Sequence, residues 1–172
     1  MARIARLKNT RLWWVSGAAY TTLAAIYTAP TVASLTPGTG IVLVHANMTK
    51  NYDVAMDDSD SITELGVDDD SKVEVPTIRS YHGNLEFFRS FDSSTSLPDA
   101  SDCTTLISEN QLGWFVKREG LPSTTAAAAA QKVEVYEFRS DVWKFSKEDG
   151  LIKASIKLWQ QGRFSTQATV AA

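Results

Sequence analysis

Apolar and polar positions alternate in several short runs of this chain, which is the pattern of β-strands that bury one face more than the other. The clearest run is Lys132–Phe138, in which Val133 and Val135 point one way and the intervening residues the other. Other β-branched or aromatic runs predict strands at Ile41–Val44, Val73–Val75, Leu85–Ser90, Gly113–Arg118 and Ile152–Leu158. The chain is therefore expected to be mainly β.

One short helix is predicted after residue 100. Ser101 or Asp102 can cap its first turn, Cys103 and Leu106 begin an apolar stripe, and Gly113 is expected to end it. Cys103 is the only cysteine, so the chain forms no internal disulfide, and a reducing compartment is the natural expectation. Its place on the stripe predicts a buried small hydrophobe instead of a nucleophile.

A length of 172 residues with 44% hydrophobic content fits one domain with a substantial core. Residues 1–28 are expected to form an N-terminal arm with Trp13 and Trp14 as aromatic anchors, and residues 29–172 a β-sandwich or barrel. Polar side chains interrupt the apolar stretch at residues 12–29. That stretch loosely resembles a secretory signal, but it is too short and too polar for comfortable membrane insertion.

Charge is sorted by position along the chain. Residues 1–52 carry five basic side chains and no acid, whereas residues 53–70 carry eight acids and no base, within a net charge of −3. The acidic run predicts a long loop at residues 53–72. Opposite patches attract and set orientation across a contact, so this sorting favours a molecule that meets a partner, including copies of itself. Two solvated loops of opposite sign remain the plainer interpretation.

The sequence predicts no catalytic, cofactor-binding or metal-binding site. The sequence contains no nucleophile motif, so neither His45 nor His82 is expected to act as a catalytic base. The acids of residues 57–60 and 68–70 do not match the spacing of a calcium-binding loop, which leaves at most a weak divalent-cation site. An enzyme is therefore not expected.

Several phrases occur in an order that resembles the major tail (tail-tube) proteins of long-tailed, siphovirus-type phages of actinobacteria. They are Ala29–Leu35, Gly38–Ile41, the acidic insert, Val75-Pro76, Asn84–Asp92, Gly113–Gly120, Lys132–Phe138 and Ile152–Gly162. No single phrase is specific, and the resemblance rests on their shared order over residues 29–165. The first 28 residues match less clearly.

The resemblance implies a structural virion protein with a β-sandwich tail-tube fold and a helix at its side. Six subunits would close into a ring, and rings would stack into a tube through which DNA is delivered without specific binding. It also implies a virion (tail) location after assembly in the host cytoplasm, with a tape-measure protein and a tail terminator as further partners. Ring closure would cover exposed sheet edges.

The charge sorting suggests which residues would join stacked rings: a basic arm on one ring would meet an acidic loop on the next. The inter-ring contact candidates are Arg3, Arg6, Lys8, Arg11, Trp13, Trp14, Asp57, Asp58, Asp60, Asp68, Asp69 and Asp70.

Two alternatives stay open. A ring-forming tail terminator or head–tail adaptor would stop at one ring. A soluble β-sandwich module for glycans or peptides would use exposed tryptophans at positions 114, 143 or 159, although such aromatics are more often buried in a core.

Overall fold

The computed structural model describes residues 9–17, 26–58, 60–64, 73–148 and 150–172. Ten strands lie in these ranges: β1 Thr10–Ser16, β2 Ile41–Leu43, β3 Asp53–Met56, β4 Asp60–Glu64, β5 Val73–Ile78, β6 Tyr81–Phe88, β7 Leu112–Glu119, β8 Lys132–Ser140, β9 Lys144–Glu148 and β10 Leu151–Thr169. A single α-helical turn, α1 at Cys103–Leu106, and a short 3-10 turn at Ala33–Leu35 complete the described elements. The prediction of a mainly β chain is confirmed.

Eight of the strands form one antiparallel sheet in the order β2-β1-β7-β8-β10-β6-β3, with β9 also paired to β10. β9 continues in the direction of β8 after residues 141–143. The long strand β10 therefore pairs with β8 and with β9 along the same edge. β4 and β5 form a separate two-stranded ribbon. Pro76 lies within β5 and has no backbone N–H to donate. Among the described residues β5 pairs on one side only, and a strand of this kind tolerates a proline.

The sheet is apolar on both faces where β1, β7 and β8 run together. Trp14, Phe115 and Phe138 belong to one core with residues of β6 and β10. Trp13, Val116 and Val135 belong to a second core on the opposite face, covered by the connection around Ile26 and Leu35. Alternate side chains of a strand point to opposite faces, so two-sided burial follows from the β-period.

Residues 10–16 lie inside this sheet, whereas the sequence analysis assigned them to an N-terminal arm. β1 pairs with β2 on one side and with β7 on the other, from Thr10 opposite Glu119 to Ser16 opposite Gly113. All seven residues of β1 are buried. Because both of its edges and both of its faces are covered, β1 is an integral strand of the domain. Residues 1–8 and 18–25 of the expected arm lie outside the described residues, whereas Ile26, near its end, is buried in the second core.

Two boundaries differ from the sequence prediction. Residues 53–56 and 60–64, expected within a long acidic loop, form β3 and β4, since Val54 is buried and β3 pairs with β6. The helix ends at Leu106, because the backbone of Ile107 is extended. Gly113, which was expected to end the helix, lies in β7. A Cβ at Gly113 would come within 2.4 Å of the Trp14 ring, so glycine there makes room for the indole.

Asp102 caps α1 and holds the preceding loop. Its carboxylate accepts hydrogen bonds from the backbone N–H and hydroxyl of Thr104 (3.0 and 2.6 Å), from Arg89 Nε (2.8 Å) and from the Ser90 N–H (2.8 Å). Asp102 is fully buried and Arg89 nearly so. Burial raises the pKa of the carboxyl, but the Thr104 and Arg89 hydrogen bonds outweigh it and hold the pKa below its ordinary value.

We expect Asp102→Ala to lower the free energy of unfolding by about 3 kcal/mol, because it removes a helix cap and leaves the Arg89 guanidinium buried without its anion. Urea denaturation at neutral pH measures the change. Asp92→Ala is the matched control: this exposed carboxylate caps only its own turn at Ser94 and Thr95, so its loss should cost much less than that of Asp102. Equal effects of the two changes would contradict the assignment of Asp102 as the anchor.

Candidate assembly surfaces

The basic end of β1 is occupied within the subunit. Arg11 donates from Nη1 to the carbonyls of Ser123 (3.1 Å) and Thr125 (2.7 Å), and it is almost fully buried. Its guanidinium stands 5.3 Å from the centre of the Trp13 ring, at the distance of a cation–π contact. Burial lowers the pKa of Arg11 from its ordinary value.

Arg118 on β7 holds the same loop from the neighbouring strand. Its two terminal nitrogens donate to the carbonyls of Ala126 (3.1 Å), Pro122 (3.0 Å) and Thr125 (2.9 Å), and to Gln131 Oε1 (3.0 Å). It lies 5.7 Å from the centre of the Trp13 ring. The two arginines therefore hold residues 122–126 through backbone carbonyls, and Arg118 also binds the Gln131 side chain. Trp13 contacts both guanidinium groups.

Of the predicted basic and aromatic contact residues, the structure describes three. Arg11, Trp13 and Trp14 lie in the core of the subunit, and Trp14 Nε1 donates to Gln111 Oε1 at 3.0 Å. Arg3, Arg6 and Lys8 lie outside the described residues. The placement gives Arg11 and both tryptophans a role in holding β1 within the domain.

The predicted acidic residues are placed only in part. Asp57 and Asp58 are exposed directly after edge strand β3. Asp60 is the first residue of β4. Asp68, Asp69 and Asp70 lie outside the described residues. The described structure therefore brings two of the predicted acids to one sheet edge.

A histidine clamp, formed by His82, Asp53 and Asp57, lies at this edge. His82 on β6 faces Ala55 on β3, and the two aspartates stand two residues before and after Ala55, which puts them on the same face. Asp57 bonds His82 Nδ1, and Asp53 Oδ2 lies 3.1 Å from Nε2. The Asp57 hydrogen bond, with help from Asp53 and against partial burial, raises the pKa of His82. Only the register of β3 and β6 joins these residues, so no pattern along the chain predicts the clamp.

Exposed apolar side chains gather at the β9–β10 hairpin. The hairpin patch is defined here as Phe91, Phe145 and Ile152, each at least 40% exposed. Phe88 and Leu151 are also exposed, but they lie on the opposite face of the sheet, because Phe88 stands opposite Lys153 and Phe145 opposite Ala154. Arg89 connects its parts: its N–H donates to the Ile152 carbonyl (3.0 Å), and its guanidinium lies 4.8 Å from the ring centres of both Phe91 and Phe145. An exposed apolar cluster of this kind marks an interaction surface.

The tryptophans proposed for a glycan-binding module are divided. Trp114 and Trp143 are buried in the two cores, whereas Trp159 is half exposed on β10 with Lys157 Nζ 3.8 Å from its ring centre. The structure thus presents one of the three side chains to solvent. A platform of several tryptophans is not available on the described surface.

Of the remaining reactive side chains, Cys103 is fully buried and His45 is half-buried. Burial raises the pKa of the Cys103 thiol to about 12, and burial lowers the pKa of His45. Among the residues that the structure describes, no group of three His, Cys, Asp or Glu side chains could hold a metal ion. No helix in the same ranges is long and apolar enough to cross a membrane.

Comparison with known families gives one finding. The family model described as "Phage tail tube protein" matches residues 1–172, which is the whole chain. A comparison with curated proteins gives no match.

We expect the histidine clamp to make stability depend on pH in a defined direction. Because the folded pKa of His82 is raised, its stabilisation is fully present below the ordinary value of about 6.5 and is lost as pH rises through the folded pKa. The difference in unfolding free energy between wild type and His82→Gln should therefore shrink as pH rises. It should not exceed about 1 kcal/mol, since more than a third of the side chain is exposed. Urea titrations from pH 5.5 to 9 measure it, and a pH-independent difference would contradict the clamp.

Proposed function

The chain belongs to the phage tail tube protein family, and from this premise we propose that its copies close into hexameric rings that stack to form the tube through which phage DNA is delivered. Members of the family are structural, not enzymatic; they assemble with themselves into a tube and are components of the virion tail. The match over all 172 residues is the observation that carries the proposal.

The free edges of the sheet support ring closure. In the described ranges β2 and β3 each pair on one side only, and β9 pairs only with β10. Unpaired strand edges are open to pairing with another chain. A contact between two different surfaces of identical subunits produces a closed ring when the rotation closes and a filament when it does not.

The charge sorting supports stacking through the N-terminal residues. In this proposal Arg3, Arg6 and Lys8 reach the acidic segment of the next ring, which includes Asp57, Asp58, Asp60 and Asp68–Asp70. Arg11, Trp13 and Trp14 anchor the start of the domain from which those basic residues extend. Attraction between a strongly basic and a strongly acidic segment favours the correct orientation of two rings. Repulsion between like charges disfavours the reverse orientation.

Further partners follow from the same proposal. A tape-measure protein would occupy the lumen during assembly, a tail terminator would stop growth, and assembly would take place in the host cytoplasm. The phrases that resemble tail-tube proteins of actinobacterial siphoviruses favour such a phage as the source. The lumen is expected to be smooth and mildly acidic, so that DNA passes without sticking.

Electron microscopy of the purified chain across a concentration series tests the proposal, with light scattering on the same samples. Long hollow tubes of stacked rings are the expected result. Single rings that do not grow would favour a terminator or adaptor instead, and monomers at high concentration would overturn the assembly proposal.

We expect the triple change of Asp68, Asp69 and Asp70 to Lys to block tube growth while the subunit stays folded, because it turns attraction to the basic N-terminal residues into repulsion. The triple change to Asn is the matched control and should weaken growth less. Light scattering measures growth, and circular dichroism checks the fold. Tubes of normal length from the lysine variant would refute the stacking contact.

A further inference from the structure

Buried polar atoms without a hydrogen-bond partner belong to one cluster of side chains around Arg11. In the described part of the chain, the buried side-chain nitrogen and oxygen atoms that lack a partner are Arg11 Nε, Trp13 Nε1, His45 Nδ1 and Arg118 Nε. The side chains of Arg11, Trp13 and Arg118 are each more than nine-tenths buried, and their three atoms are N–H donors. A buried donor without an acceptor loses its hydration for nothing in return, so an acceptor is expected beside them.

The pairing of β2, β1 and β7 brings these side chains together. Arg11 stands directly opposite Arg118, and Trp13, two residues further along β1, points to the same face. His45 follows Leu43 by two residues, and Leu43 stands opposite Trp13, so His45 lies next to Arg11. Burial lowers the pKa of His45, and the nearby charges of Arg11 and Arg118 lower it further.

The two guanidinium groups stand side by side. Both donate to the carbonyl of Thr125, Arg11 at 2.7 Å and Arg118 at 2.9 Å, and both lie within 6 Å of the centre of the Trp13 ring. Burial lowers the pKa of Arg118, and the charge of Arg11 lowers it further. Two cations this close repel each other, and their burial limits the screening that water would provide.

The surrounding segments supply no carboxylate side chain to this pair of cations. Among the described residues, neither arginine has an acidic side chain within ion-pair distance. Residues 1–52, 120–133 and 150–172, which include β1, β2, the loop at residues 122–131 and β10, contain no Asp or Glu. Backbone carbonyls accept the hydrogen bonds of the terminal nitrogens but carry no net charge. Buried charges are normally paired, so the cluster lacks an anion.

We propose that Arg11, Trp13 and Arg118 bind one small inorganic anion of the size of chloride. The two Nε–H groups and the indole N–H donate to it, and its charge offsets the repulsion between the guanidinium groups. A water molecule would accept the same hydrogen bonds but would leave both charges unpaired. Arg118 is only 1% exposed, which favours a small diffusing ion over a side chain of another molecule. The bound anion would thereby strengthen the attachment of the loop at residues 122–131 to β1 and β7.

Thermal unfolding of the full chain, at a concentration below that at which copies assemble, tests the site. Sodium chloride replaces sodium gluconate at constant ionic strength, so that the screening of surface charges stays the same. The change in midpoint temperature on this replacement is the chloride response. We expect the response of wild type to exceed that of Arg11→Gln by about 3 °C or more, because an anion that binds only the folded chain stabilises it.

Arg139→Gln is the matched control for this substitution. Arg139 also donates to a backbone carbonyl, that of Asn110 at 3.1 Å, but it is exposed. Its variant should keep the chloride response of wild type. Equal responses of wild type and Arg11→Gln would show a general effect of the salt and would overturn the proposal.

Anomalous scattering from wild-type crystals grown in sodium bromide provides a second test that needs no variant, and it decides the matter if Arg11→Gln does not fold. We expect a bromide ion within hydrogen-bond distance of Arg11 Nε, Arg118 Nε and Trp13 Nε1. A water molecule at this place, or bromide only elsewhere, would overturn the proposal. The site lies within one subunit, so its failure would leave the tube proposal unaffected.

Discussion

Two adjacent tryptophans on β1, Trp13 and Trp14, hold the two cores of this protein to one sheet. Their side chains point to opposite faces because neighbouring residues of a strand alternate. Each ring is completely buried, one in the core shared with β6 and β10 and the other beneath the connection around Leu35. Gly113 on β7 leaves the space that the Trp14 ring fills. The rest of the fold depends on this strand being covered on both faces and both edges.

The position of β1 in the sheet also places the basic side chain of Arg11 inside the subunit. Arg11 lies in the core beside Arg118, and loop carbonyls at residues 122–126 accept hydrogen bonds from the terminal nitrogens of both guanidinium groups. Buried cations are costly unless polar groups surround them, so this loop and β1 stabilise each other. Side chains used in this way hold the domain together, and assembly must rely on other surfaces.

The outer strands of the sheet are the surfaces that we propose for this role. The hairpin patch leaves large apolar side chains in water, and the β3 edge carries the histidine clamp, which includes Asp57, with exposed Asp58 next to it. A chain that functions alone gains nothing from an open edge with exposed phenylalanines, which favours aggregation. Because members of this family assemble into a tube, we propose features of this kind as candidates for the contact between copies.

The sequence by itself determined that the chain is mainly β, because alternating runs such as Lys132–Phe138 are typical of strands in a sheet. It did not predict β1, β3, β4 or β9 as strands. It also determined the family, through phrases whose order outweighs their individual weakness. It could not place Trp13 and Trp14, since an apolar aromatic pair after a basic stretch fits an anchored arm as well as an inner strand. The clamp of His82 and the hairpin patch were equally out of reach. Both depend on which strands become neighbours and where β7 stops, and long-range pairing alone decides these.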